Sequence, residues 1–546
     1  MLSWLLLMFH TVRYLRPIQI YSRIKFKLYR PSIDRNIPPN IRIVNDCWNT
    51  PIQHKSPLLS RWKFRFLNEE HSVKKSDDWD NPKLTKLWRY NLHYFDDLNA
   101  LGANSRVDWH KELLIKWVND NPPTLGTGWE PYPSSLRIIN WIKWGVSGNE
   151  LPKECIHSLA IQTRWLSKHL EFHILGNHLF ANAKALVFAG LFFEGKEADE
   201  WIAEGLKILE HEISEQVLPD GGHFELSPMY HAVVLEDLLD LINVVNLFKA
   251  QIREGQLLKW KNTAYKMIFW LQNMSHPDGK IAFFNDAAFE ISATVEELKK
   301  YAKFLGVKDV DEHKPFTYLA ESGYIRVEHS SATGLLDIAL IGPDYLPGHA
   351  HADTLSFELS LFGQRVFVNS GVSRYGNDSI RHKQRSTISH NTVCINGKNS
   401  SEVWSGFRVA NRAYPSTPKI IKSIDKIKVS CAHDGYKRLP GKCIHEREWE
   451  FGTARLCIKD KVSGSFENAT AKFYIHPDVK VKFEDSNKGN FSLMLVSGQI
   501  LQVKVNGADS ANLVASEWFP EFGVNLNNQC ITVNFTSSEI SVSISW

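Results

Sequence analysis

In PGHAHADTLSFEL, residues 347–359, His349, His351 and Asp353 stand at alternate positions just before a strand-like run. If the extended pattern of TLSFELSL reaches back through them, side chains two apart share a face and all three point the same way. Asn369 in VFVNSG and Arg385, His390 and Asn391 in QRSTISHNTVCING follow downstream. Imidazoles carried on strands beside an oxygen ligand suit a zinc-like ion; the bland reading is a set of hydrogen-bonded core histidines. A second polar group opens helices upstream. Asn177 and His178 follow Gly176 in LGNHLFANAKAL, and His223, Glu225, Tyr230 and His231 surround a Gly-Gly turn in PDGGHFELSPMYH. Loops at helix ends are where a helical domain builds a cleft. The competing readings are an N-cap for Asn177, a half-buried ring for Tyr230 and a capped or solvated imidazole for His231.

The elements that must position these residues fall into two halves. Between about residues 85 and 310, at least seven stretches carry apolar residues at helical spacing, among them WHKELLIKWVND, NHLFANAKALVFAGLFF and YHAVVLEDLLDLINVVNLFKAQI. No strand run long enough for a parallel sheet separates them, which predicts antiparallel helices in a bundle or an α/α toroid. From about Tyr318 the period becomes two, as in SGYIRVEH, KIKVSCAHDG and ILQVKVNG, which predicts a sandwich of short antiparallel strands. Residues 31–84 are mixed, with one strand-like run, SRWKFRFLN.

Composition narrows the function classes. A chain of 546 residues, 43% hydrophobic and 23% charged, is globular and long enough for several domains. Its aromatic content of 12% matches proteins that stack rings on sugars, although core packing accounts for most of the rings. A net charge of +4 without a long basic block excludes a general nucleic-acid binder. Seven scattered cysteines without C-x-x-C predict reduced thiols, with neither a zinc cage nor a disulfide framework. The N-terminal apolar run ends at Phe9, too short to span a bilayer and unlike a cleavable leader. Beyond it Arg13, Arg16, Arg23, Lys25, Lys27 and Arg30 interleave with apolar residues, so residues 1–30 are a candidate for peripheral membrane contact.

GNHL, LPDGGHFELSPMYH, HPDGKIAFFND, GHAHADTLSFEL, VFVNSG and RSTISHNTV occur in this order over about residues 85–400. Taken together they resemble the heparinase II/III superfamily of polysaccharide lyases and the related oligoalginate lyases. The resemblance implies a multidomain α-then-β chain: a lead-in over 1–84, an (α/α) toroid over 85–315 and an antiparallel β-sandwich over 316–546. It implies β-elimination at a uronic acid, in which the carboxylate is neutralised before a base removes the adjacent proton. Asn177 and His178 would hold the carboxylate, and Tyr230 and His349 would move protons, with Tyr375 as a weaker candidate partner. Glu225, His231, Arg385 and Trp129 would contact substrate. A phenol ionises only near positive charge, for which Arg385 is the candidate source.

His351 and His390 match positions that hold a structural zinc in part of the superfamily. The third ligand there is usually Asp in a DSG context, and here Asn369 stands in VNSG, which weakens the site or hands the role to Asp353. The expected partner is an acidic polysaccharide, and the start of the chain is similar to members associated with bacterial capsule, exopolysaccharide or O-antigen. The cell envelope, periplasm or membrane periphery, is the expected location, with the cytoplasm as the alternative. Two other classes compete: a glycoside hydrolase using Asp220, Glu225 and Asp286, and a glycan-binding assembly protein without activity.

Overall fold

The computed structural model describes the chain apart from residues 1, 45–47, 250, 251, 253, 312 and 486–488. Two helices, α1 (Leu2–Val12) and α2 (Pro17–Leu28), precede a three-stranded antiparallel sheet over Leu58–Ser72. Among the described residues nine α-helices then follow: α3 (Lys86–Tyr94), α4 (Val107–Asp120), α5 (Pro131–Val146), α6 (Lys153–Ser167), α7 (Gly176–Phe192), α8 (Lys196–Gln216), α9 (Pro228–Phe248), α10 (Glu254–Asn273) and α11 (Val295–Phe304). The seven amphipathic stretches correspond to α4–α10, and α3 and α11 are additional. Local chemistry starts them: Thr85 caps α3, Ser227 caps α9 ahead of Pro228, and Thr294 forms a capping box with Glu297 on α11. Helix α7, GNHLFANAKALVFAGLF, is buried along nearly its whole length and packs against α5, α8 and α9. An all-round apolar helix is stable only in such a central place.

From Phe316 onward the described chain forms antiparallel sheets. An eight-stranded sheet spans residues from Lys419 to Ser545, with Arg455–Ser463 and Glu539–Ser545 at its centre, and these strands alternate buried and solvent-facing residues. A nine-stranded sheet carries the chain from Phe316 through Phe357–Leu361 and Ala469–Ile475 to Ser510–Trp518. Val327, Phe357 and Phe473 of this sheet share one apolar core with Val429, Trp449, Ile458 and Val542 of the other. The strand Phe357–Leu361 is buried on both faces, because Glu358 and Ser360 turn toward the helical half. There the His276 Nε2 lies 2.8 Å from the Glu358 carboxylate and its Nδ1 2.8 Å from the Ser360 hydroxyl. The short helix α12 (Ser379–Arg385) follows.

The structure corrects one expectation directly. The strand at Phe357 does not extend back to His349: residues 338–356 are irregular and turn-rich, so alternation along a strand does not place the two histidines and Asp353. The six described cysteines are free thiols, as the spacing predicts, and Cys47 lies outside the described residues.

Candidate active site

The segment Phe283–Asp286, between α10 and α11, organises the site. Asn285 donates from its side-chain amide to the Leu226 carbonyl at 2.9 Å and accepts from the His351 amide at 2.9 Å; its own amide donates to Asp353 at 3.2 Å. Asp286 carries the charge. Its Oδ2 accepts from His349 Nδ1 at 2.8 Å, its Oδ1 from His351 Nε2 at 2.8 Å, and Arg381 of α12 closes a bidentate pair on both oxygens. Burial opposes the charge, but Arg381 and the two imidazole donors hold the carboxyl well below its usual range. An ionised carboxylate only accepts, so both histidines must donate to it; in a neutral ring that puts the His349 proton on Nδ1 and the lone pair on Nε2.

Tyr230 stands at the start of α9. The Ser227 hydroxyl accepts from the Tyr230 amide at 3.2 Å and donates to the Asp286 carbonyl at 2.5 Å, tying the helix cap to the same segment. The Tyr230 ring lies 3.9 Å from the His349 ring, centroid to centroid, and its hydroxyl is 2.8 Å from that of Tyr375. Burial, then the Tyr375 hydroxyl and the Asp286 charge, push the Tyr230 phenol well above its ordinary pKa. Phe407 packs edge-on against His349 and Tyr375.

A second group lies beside these. Gly176 has φ +59, and a Cβ there would sit 2.5 Å from Leu346 Cδ2 and 3.1 Å from Glu225 Oε1, so only glycine lets the GNHL turn approach Glu225 and the loop leading to His349. Asn177 occupies the first turn of α7, and the His178 Nδ1 is 3.1 Å from the Glu171 carboxylate. Burial opposes protonation of His178, yet Glu171 and then Glu225 raise its pKa above the ordinary value. Burial pushes the Glu225 carboxyl up, and its Oε2 has no hydrogen-bond partner among the described residues. Leu175, Leu226, Asn285 and Leu355, all beside site residues, hold left-handed φ values of 57–70°. Such non-glycine strain costs of order 1–3 kcal/mol per residue and persists only where surrounding contacts over-determine the backbone.

Of the residues singled out in the sequence, Asn177, His178, Glu225, Tyr230, His349 and Tyr375 come together in this region. Four do not serve as expected. Trp129 is a core residue whose indole donates to the Asn121 carbonyl. His231 is fully buried, stacked on Trp270, accepting from the His223 amide and donating to the Met267 carbonyl. Arg385 is buried and holds the carbonyls of Ala350, Ser405 and Arg408, so it is no source of charge for Tyr230; Arg381, one turn earlier, lies 5.0 Å over the Tyr375 ring and is itself neutralised by Asp286. Asn369 spends its amide on the Phe283 carbonyl and the Asn391 amide. Asp286, Arg381, Asn285 and Glu171 were not singled out for these roles, although Asp286 and Asn285 close the HPDGKIAFFND motif. The paired-carboxylate alternative fails here: Asp220 accepts from Gly222 and Ser322, and both oxygens of Asp286 are engaged.

His351, Asp353 and His390 place one candidate ligand atom each within 4.8 Å of one another, all buried. The His351 Nδ1 and His390 Nε2 are 3.2 Å apart. Two nitrogens bound tetrahedrally to zinc at 2.0–2.1 Å lie about 3.3 Å apart, so the two imidazoles are spaced for that ion, and Asp353, within 4.8 Å of both, is the candidate oxygen ligand in place of Asn369. Asp286 on the far nitrogen of His351 is the usual orienting partner of such a ligand.

The profile described as Heparinase II/III N-terminus matches residues 79–310, and Heparinase II/III-like, C-terminal, matches residues 311–546. This chain belongs to the heparinase II/III family. The heparin-sulfate lyase of Bacteroides stercoris is 30% identical over 268 residues, 45% of this chain and 38% of that protein. That of Pedobacter heparinus is 26% identical over 338 residues, 58% of this chain and 49% of that protein. The matched stretch thus spans under half the length of either curated relative. The crystal structure of heparinase III aligns with 97% of this chain and 85% of its own at 18% identity and a TM-score of 0.70. A heparan sulfate lyase mutant from Pedobacter heparinus aligns with 97% and 87% at 19% identity and a TM-score of 0.61. At these identities the likeness is one of fold: helices first, antiparallel sheets after.

Within this heparinase II/III site, Asp286→Ala leaves the Arg381 guanidinium buried and unpaired. We expect a loss of about 3–5 kcal/mol, read as a lowered thermal midpoint. Adding Arg381→Leu should restore much of that midpoint but no activity. A single variant as stable as the wild type would refute the account.

Proposed function

We propose that the protein is a polysaccharide lyase that cleaves a uronic-acid-containing acidic glycan by β-elimination. The observation that carries this reading is the Tyr230 phenol, its hydroxyl 2.8 Å from that of Tyr375 and its ring centroid 3.9 Å from that of a His349 whose Nδ1 is committed to Asp286. His349 Nε2 takes the C5 proton. The electron pair forms the C4–C5 double bond as the C4–O bond breaks, and the neutral Tyr230 hydroxyl gives its proton to the leaving oxygen. The adjacent carboxylate must first be neutralised, and the donors available for it are the Asn177 amide, His178, whose pKa Glu171 raises, and Glu225, which burial inclines to keep its proton. In the same reading α3–α11 close as an (α/α) toroid and the two large sheets form a sandwich. The relatives' names make heparin-type chains the first substrates to try, and the cell's own capsule, exopolysaccharide or O-antigen the second. Zinc held by His351, Asp353 and His390 would brace the loop that carries His349, at the cell envelope as in the cytoplasm.

The first test is ultraviolet absorbance of the unsaturated uronate formed from a panel of acidic polysaccharides. Tyr230→Phe should lower kcat by a factor of about 10²–10⁴, and a substrate with a nitrophenolate leaving group should recover most of that loss. A flat wild-type trace across the panel would move the reading to a glycan-binding role. Absence of recovery would put Tyr230 in the base's place.

A charged His178 sets the pH behaviour. Because its folded pKa is raised, it is protonated below that value and neutral above it, so kcat should fall with alkaline pH along with a rise in KM. The groups that face it are Glu171, Glu225, Lys86, His173 and the Tyr132 ring. Glu171→Gln should shift the rise in KM to lower pH, and an unmoved profile would exclude His178 as the titrating group.

Metal content gives a separate readout. The purified protein should carry about one zinc per chain by elemental analysis, His390→Ala should lose it, and the thermal midpoint should fall with it. Full zinc content in His390→Ala would rule this ligand set out.

A further inference from the structure

The two N-terminal helices are turned inside out. In α2 the polar Gln19 and Ser22 are 3% and 9% exposed, while Ile24 and Leu28 are 56% and 78% exposed. At about 100° per residue, Ile20, Ile24, Leu28 and Tyr21 share one arc pointing away from the protein. Arg23 and Lys27 flank that arc on one side and Lys25 on the other. Helix α1 likewise exposes Trp4, at 57%, with Leu5, Phe9 and Val12. Inward, both helices are held chiefly by polar and ring contacts. The Gln19 amide donates to the Tyr345 carbonyl, the Arg16 guanidinium stacks 3.7 Å over the Tyr345 ring, and the Thr11 hydroxyl accepts from the Trp404 indole at 3.0 Å.

We propose that α1 and α2 dock flat on an anionic lipid bilayer, with the apolar arc among the acyl chains and the basic flanks on the headgroups. Three observations select this occupant. The first 33 residues contain six Lys or Arg and no Asp or Glu, which complements an anionic surface. At 11 and 12 residues the helices are too short to cross a bilayer, and among the described residues no helix is long and apolar enough to do so. A second copy joined through a two-fold would set these basic flanks against each other, and an acidic glycan would leave the outward Trp4, Phe9, Ile24 and Leu28 unused. The helices rest on segments that lead to the site: Tyr345 precedes His349 by four residues, and Trp404 precedes Phe407, which packs on His349. Resting on the lyase reading, the glycan reached is therefore one held at the membrane surface.

The test is cosedimentation of the full chain with vesicles of phosphatidylcholine alone or mixed with phosphatidylglycerol. Binding should be strong only to the mixed vesicles and weaken with salt. Trp4→Ser/Phe9→Ser and Ile24→Ser/Leu28→Ser should each reduce it about tenfold or more, with thermal midpoint and activity on a short soluble substrate unchanged. Lys25→Glu/Lys27→Glu should abolish the preference for phosphatidylglycerol. No binding to either vesicle, unaltered binding in all variants, or a dimer broken by the same substitutions in place of vesicle binding would each overturn the proposal. None of these outcomes depends on lyase activity, so a failed activity assay leaves this result intact.

Discussion

One buried carboxylate holds the halves of the molecule in working register. Asp286 comes from the helical half; His349, His351 and Arg381, which meet it, come from the sheet-bearing half. A lone charge in such a place would cost several kcal/mol of desolvation. Arg381 supplies the opposite charge and two parallel donors, so the carboxylate stays ionised and keeps both oxygens directed. The backbone follows the same plan, since the Asp286 amide donates to the His349 carbonyl at 3.0 Å and its carbonyl accepts from Ser227. Tyr230, His349 and His351 are therefore positioned by one four-residue segment rather than by three separate loops.

Much of the architecture is legible in the sequence because burial imposes a period. Helices α4–α10 and the strands of the solvent-facing sheet show their 3.6- and 2-residue patterns plainly. The segment around His349 does not, because it is irregular: residues 345–349 are half-buried, residues 350–356 are buried, and both answer to hydrogen bonds instead of a regular period. The same cause explains the misplaced site residues. Arg381 and Arg385 are one turn apart on α12 and look alike in sequence; the first meets a carboxylate and the second meets three carbonyls. His231 sits beside Tyr230, but on the side of α9 that faces Trp270. Trp129 lies in a Gly-rich turn that reads as surface, yet its ring closes the core beside Trp117. What sequence does carry is the set of chemical types near the cleft, since Asn177, His178, Glu225, Tyr230 and His349 all converge.

The electrostatics of that convergence divide the labour. At one end Glu171 favours a cationic His178, and burial leaves Glu225 inclined to keep its proton, so this end offers donors to an anion. At the other end Asp286 is negative and Arg381 is spent on it, so among the described residues no uncompensated positive charge stands beside Tyr230. A phenol in that field resists ionisation and serves as a donor. In the lyase mechanism proposed above, the base is then the neutral imidazole whose Nδ1 proton the same carboxylate holds, which is His349. Had Arg385 faced Tyr230, the field would have reversed and the phenolate would have been the natural base. The assignment of acid and base thus follows from which of two arginines, one helical turn apart, reaches the carboxylate.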